Sequence, residues 1–135
     1  MCLTRVGRNK VAKEDIIVYK LLKKKINCSP FQGMEYEADR VYRAKLGRAD
    51  SYWDKPEIYE GLHAYLGKCS RMIAQKDSTE CKVVKMTIPA GTKYALGRAG
   101  DIVAECLVTG DLKAIRGRDI PKTKVYSWGQ WSYDI

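Results

Sequence analysis

The stretch Lys82 to Leu107, KVVKMTIPAGTKYALGRAGDIVAECL, constrains the fold more than any other, because its β-branched and apolar runs are interrupted only by residues that force turns. Val83, Val84, Met86 and Ile88 form a short, partly alternating run. Pro89-Ala90-Gly91 then removes a backbone donor and admits positive φ, so the chain must turn there. Thr92 to Leu96 leads into Gly97-Arg98-Ala99-Gly100-Asp101, and Ile102 to Val108 resumes an apolar, β-branched run. The simplest expectation is a three-stranded meander.

The same signals recur along the chain. Ile16-Ile17-Val18-Tyr19 reads as a first strand that Leu21-Leu22 extends, and Asn27-Cys28-Ser29-Pro30 is a turn. Met34 to Tyr42 alternates as a half-buried strand, and Arg43 to Pro56 lacks periodicity and reads as a loop. In Ile58 to Tyr65, Gly61 is a breaker. Leu66 to Gln75 is expected to form a short helix, and Lys124 to Trp128 a last strand. These elements predict an α+β fold, mainly an antiparallel sheet with one or two short helices. A basic amino-terminal arm would cover residues 1–13 and one domain residues 14–135, a length that suits a single core.

With 45% hydrophobic and 30% charged residues, the composition is that of a globular protein. No apolar run in Met1 to Arg8 or elsewhere suits a signal segment or a membrane span, which predicts a soluble, cytoplasmic protein with no membrane partner. Five cysteines, Cys2, Cys28, Cys69, Cys81 and Cys106, are scattered without a CxxC pair. Reduced thiols follow, and neither a disulfide framework nor a metal site; no cofactor is indicated.

Charge is uneven within the net +9: residues 1–25 carry eight Lys or Arg against two acids, whereas residues 35–60 carry five against seven. A second basic cluster comprises Lys113, Arg116, Arg118, Lys122 and Lys124. Such fields favour anionic partners: a nucleotide, nucleic acid or an acidic protein surface. Arg98, between Gly97 and Gly100, is the sharpest candidate for anion contact, since glycines let amides approach an oxyanion and guanidinium offers a bidentate donor. Lys93, Arg116 and Arg118 would support it, and His63 and Tyr65 would line the same cleft. The simpler alternative for GRAG is a tight turn. Tyr126, Trp128, Trp131 and Tyr133, beside the second cluster, could stack on bases or fill a core.

The succession MCLT, AKEDIIVYK, CSPFQG, EGLHAY and IPAGTKYALGRAGDIVAECL resembles a group of small proteins of bacteriophages, especially those of Bacteroidales-type gut hosts, and of their mobile elements. The resemblance implies a phage or mobile-element origin, and with it the host cytoplasm; it brings no established activity and no catalytic residues. The resulting expectation is a non-catalytic protein that binds an anionic target, either nucleotide, nucleic acid or a host-defence component.

Two alternatives stand beside it. Gly61-Leu62-His63 is similar to the histidine-bearing strand of ADP-ribosyltransferases, with His63 at the dinucleotide-contacting position and Glu105 as a candidate acid, but no tyrosine matches that family's clamp and no roles are carried across. The other is a virion component or homo-oligomer whose exposed strands pair between copies. Walker, nucleophile-elbow and HExxH motifs are missing from the sequence, which excludes the enzymes that depend on them.

Overall fold

The computed structural model of the chain describes residues 3–4, 9–29, 34–50, 56–68, 80–97 and 100–122; at 3–4, 48–50 and 56–59 only the backbone is described. Eleven strands follow in chain order: β1 (Leu3–Thr4), β2 (Lys10–Val11), β3 (Ile16–Lys23), β4 (Val41–Arg43), β5 (Gly47–Asp50), β6 (Pro56–Glu60), β7 (Leu62–Tyr65), β8 (Cys81–Ile88), β9 (Lys93–Leu96), β10 (Asp101–Ala104) and β11 (Cys106–Thr109). Among the described residues the one helical turn is a 3-10 turn at Gly117–Asp119.

The fold is therefore mainly β, and the expected α+β class is corrected. Leu66–Lys68, the described start of the expected helix, is bound like strand instead: the Leu66 N–H donates to the Gly100 carbonyl (2.9 Å) and the Lys68 N–H to the Pro121 carbonyl (2.7 Å). The rest of that segment, and the expected strand at Lys124 to Trp128, lie outside the described residues.

Eight strands make one antiparallel sheet in the order β2-β9-β10-β7-β3-β8-β11-β4, and β1-β6-β5 make a smaller one. The expected meander is also revised, because β8 pairs with β3 and β11 and not with β9. The reason is a bend. β10 and β11 are separated by Glu105 alone, yet β7, β3 and β8 lie between them in the sheet. In a flat sheet four inter-strand steps of about 4.8 Å would put them about 19 Å apart, whereas two residues of chain reach about 7 Å. The sheet must roll until its middle closes, and the strand bent at Glu105 joins the two sides.

A second bend lies at Gly61, where one continuous segment leaves the small sheet as β6 and enters the large one as β7. Its φ of +132° disfavours a side chain, and a Cβ there would lie 2.5 Å from Val103 Cγ2 and 2.9 Å from Leu46 Cδ2. The Pro89–Thr92 turn has the form expected from sequence: Gly91 sits at φ +86° and the Thr92 N–H returns to the Pro89 carbonyl (3.2 Å).

Rolling buries both faces of the central strands, which explains why IIVYKLLK runs apolar without strict alternation. Val18, Leu22, Leu62, Val84, Met86, Ile88, Ile102 and Leu107 fill the interior. Tyr19, Leu21, Tyr65, Cys81 and Val83 face the other way and are covered by Ile120 from the carboxyl-terminal segment, which the Ile115 N–H ties to the Val83 carbonyl (2.8 Å). Each fully buried Leu, Val, Ile or Met contributes about 1.5–3 kcal/mol.

Candidate functional site

The rolled sheet leaves an open groove of about 250 Å³ beside the Pro89–Thr92 turn, lined also by Arg43, Lys93, Glu105 and Cys106. Register explains the convergence. Arg43 on β4 stands opposite Cys106 on β11, while Lys93 opens β9 and accepts, through its carbonyl, the Glu105 N–H (3.0 Å). Both cations are exposed, and Cys106 beneath them is buried.

Glu105 organises this corner. Its carbonyl accepts the Ala44 N–H (3.0 Å) and its Oε2 the Leu46 N–H (3.1 Å), so the carboxylate has a structural partner. The turn lining the groove offers few amides to a guest, since the Ala90 N–H donates to Asp15 Oδ1 (2.9 Å), that of Gly91 to the Ala12 carbonyl (2.7 Å) and that of Thr92 to Pro89. Attraction for an anion here comes from the Arg43 and Lys93 side chains, which among the lining residues face the single carboxylate of Glu105, with Asp15 capping the turn.

The candidates expected from sequence do not gather in one place. Lys93 lies in the groove. Arg116 and Arg118 are exposed on either side of Gly117, in the segment fastened to Val83 near the start of β8. The groove lies past the end of β8, and Val83 to Ile88 alone spans about 16 Å. Tyr65 packs with Tyr19, Leu21 and Ile120 on the Arg116 side. Arg98 and the aromatic tail lie outside the described residues.

His63, on β7, is half-buried and alternates with the core residues Leu62 and Ala64. Its carbonyl accepts a hydrogen bond from the amine of Lys20, and its buried Nε2 has no hydrogen-bond partner. Burial, then nearby positive charge that includes Lys20, lowers the His63 pKa to about 4. Lys20 is itself only 5% exposed, with its amine 5.4 Å from the centre of the Tyr36 ring. Burial lowers its pKa to about 8. Tyr36, whose buried hydroxyl also has no hydrogen-bond partner, is raised to about 12 by burial and then by Tyr42. Tyr42 meets its ring edge-on at 4.8 Å and accepts the Glu37 N–H (2.7 Å).

Arg43, Lys20 and Tyr36 are not among the candidates expected from sequence. Arg43 opens a segment without periodicity. Lys20 carries a usable signal, because it falls two residues from both Val18 and Leu22 on the face those residues bury.

Among the described residues, no group of three His, Cys, Asp or Glu side chains could hold a metal ion, and no helix is long and apolar enough to cross a membrane. No family model, curated protein or solved structure matches the chain.

Proposed function

We propose that the protein is a non-catalytic binding module that takes an anionic target at the Arg43–Lys93 groove. The observation that carries this reading is the convergence of two exposed cations, 50 residues apart in sequence, on one groove held by the backbone of Glu105. The net charge of +9 supplies a long-range field of the right sign. The groups with displaced titration, Tyr19, Lys20, Tyr36, His63 and Tyr94, are not among the groove's lining residues, which fits a site built for attraction more than for proton transfer. The resemblance to bacteriophage proteins suggests a target in the host cell.

The test is binding of a labelled single-stranded oligonucleotide and of a labelled acidic peptide, each titrated over a range of salt. Arg43→Glu with Lys93→Glu is expected to abolish binding of the preferred probe, whereas Arg116→Glu with Arg118→Glu leaves most of it. Unchanged affinity in the groove variant would overturn the proposal.

A further inference from the structure

We infer that the target is an extended acidic segment of another protein, added as a strand along the outer edge of β4. The inference rests on the anion-binding reading of the groove and specifies its partner. In the large sheet β4 is terminal, and no described strand pairs with its outer side. Its hydrogen-bond phase follows from the flanking bonds: the Thr109 N–H donates to the Arg40 carbonyl (2.9 Å) and the Ala44 N–H to the Glu105 carbonyl (3.0 Å). Antiparallel pairs alternate, so 40, 42 and 44 bond inward to the partner strand while the N–H and C=O groups of Val41 and Arg43 point outward. That is the two-residue spacing at which a strand accepts another.

The side chains add direction and chemistry. Val41 and Arg43 share one face because alternate residues do, while Tyr42 between them packs toward the interior. Val41 is 56% exposed, and Arg43 leads into the groove shared with Lys93. An incoming strand thus meets an apolar position, and two residues along it a position flanked by two cations. In antiparallel addition the peptide residue facing Arg43 precedes by two the one facing Val41, so the preferred pattern is acidic, any residue, apolar. The opposite edge is a poorer host. Only Lys10–Val11 forms β2, and Ala12 is already bonded to the Pro89–Thr92 turn.

The experiment uses the full chain and fluorescence anisotropy with an end-blocked, labelled decapeptide centred on Glu-Thr-Val, its Lys-Thr-Val counterpart, and versions N-methylated at single residues. Glu-Thr-Val is expected to bind, and the Lys version to bind at least tenfold more weakly. N-methylation of the Glu or Val should weaken binding about tenfold or more, because each loses a donor that faces β4; N-methylation of the intervening Thr, whose N–H faces away, should be tolerated. Val41→Pro removes an outward donor without touching the bonds to β11, and is expected to weaken binding similarly while leaving the circular dichroism spectrum unchanged.

If all methylated peptides bind like the parent, strand addition is refuted while anion binding at the groove survives. Binding of the oligonucleotide alone, with no affinity for either peptide, refutes strand addition in the same way. If native mass spectrometry shows a dimer that Val41→Pro dissociates, and the peptide does not bind, a second copy covers the edge and the inference is overturned. Failure of every anionic probe removes the underlying reading as well.

Discussion

Replacing Lys20 with Met tests whether the interior of the sheet holds an amine at a measurable cost. Lys20 lies on the inward face of β3, 5% exposed, with a pKa lowered by burial to about 8. For a base, a lowered folded-state pKa means that the unfolded chain binds more protons between that value and the ordinary 10.5. Wild-type stability therefore rises with pH across this window, as the unfolded lysine loses the proton that favoured unfolding. Integrated from pH 7 to pH 10, the gain is about 2–3 kcal/mol. Met fills a similar volume and does not titrate.

At pH 7 the variant sheds a net cost of about 3 kcal/mol, the contact of the charged amine with Tyr36 included, and forfeits about 1 kcal/mol for the hydrogen bond to His63. It should be the more stable protein by about 2 kcal/mol. At pH 10, where the buried amine is neutral, the two should be nearly equal. Urea denaturation of both proteins at the two pH values measures this directly, and titration of Tyr36, displaced to about 12, falls mainly above the range. Parallel stabilities, with a wild-type-minus-variant difference that moves by less than about 1 kcal/mol between pH 7 and pH 10, would refute the buried, charged amine.

Other perturbations read other parts of the fold. Gly61→Ala forces a side chain into a positive-φ bend against Val103 and Leu46, and is expected to cost about 3 kcal/mol in urea denaturation, from strain and overpacking together. His63, with a folded pKa near 4, stays neutral while the unfolded histidine protonates below 6.5. Stability is thus lost as pH falls between these values. By pH 4.5 the wild type should lose about 2 kcal/mol more than His63→Gln, as read from paired denaturation curves.

The parts of the fold legible in sequence are those where one residue type decides the backbone. β-branched runs mark β3, β8 and the segment from Ile102 to Val108, while Pro89-Ala90-Gly91 marks a turn that the structure places as expected. Pairing is less legible. The meander fails because the bend at Glu105 sends β11 to β8, and nothing in a glutamate between Ala104 and Cys106 announces a bend. The expected helix is not begun at Leu66, because the described start of that segment, Leu66 to Lys68, bonds to Gly100 and Pro121. The alternation over Met34 to Tyr42 predicts one strand, yet Asp39 takes a φ of +54° and the strand begins only at Val41. Lys93 is legible as a cation beside a turn. Its companion Arg43 is not, because the two meet only through the register of β4 on β11 and the hydrogen bond from Glu105 to Lys93.

That dependence on register bears on affinity. Glu105 bonds through its N–H to Lys93, through its carbonyl to Ala44 beside Arg43, and through its carboxylate to Leu46. Leu46 in turn packs with Ala95 and Val103 beside the bend at Gly61. The separation of the two cations is thus fixed by backbone bonds to one residue, at the corner that also closes the sheet. A ligand entering the groove need not order the elements that carry Arg43 and Lys93. It restricts only two side chains, at about 0.5–1.5 kcal/mol each. The same bend that makes β10 and β11 one strand places β4 at the end of the sheet, where no described strand pairs with its outer side, so rolling the sheet sets the charged groove beside that edge.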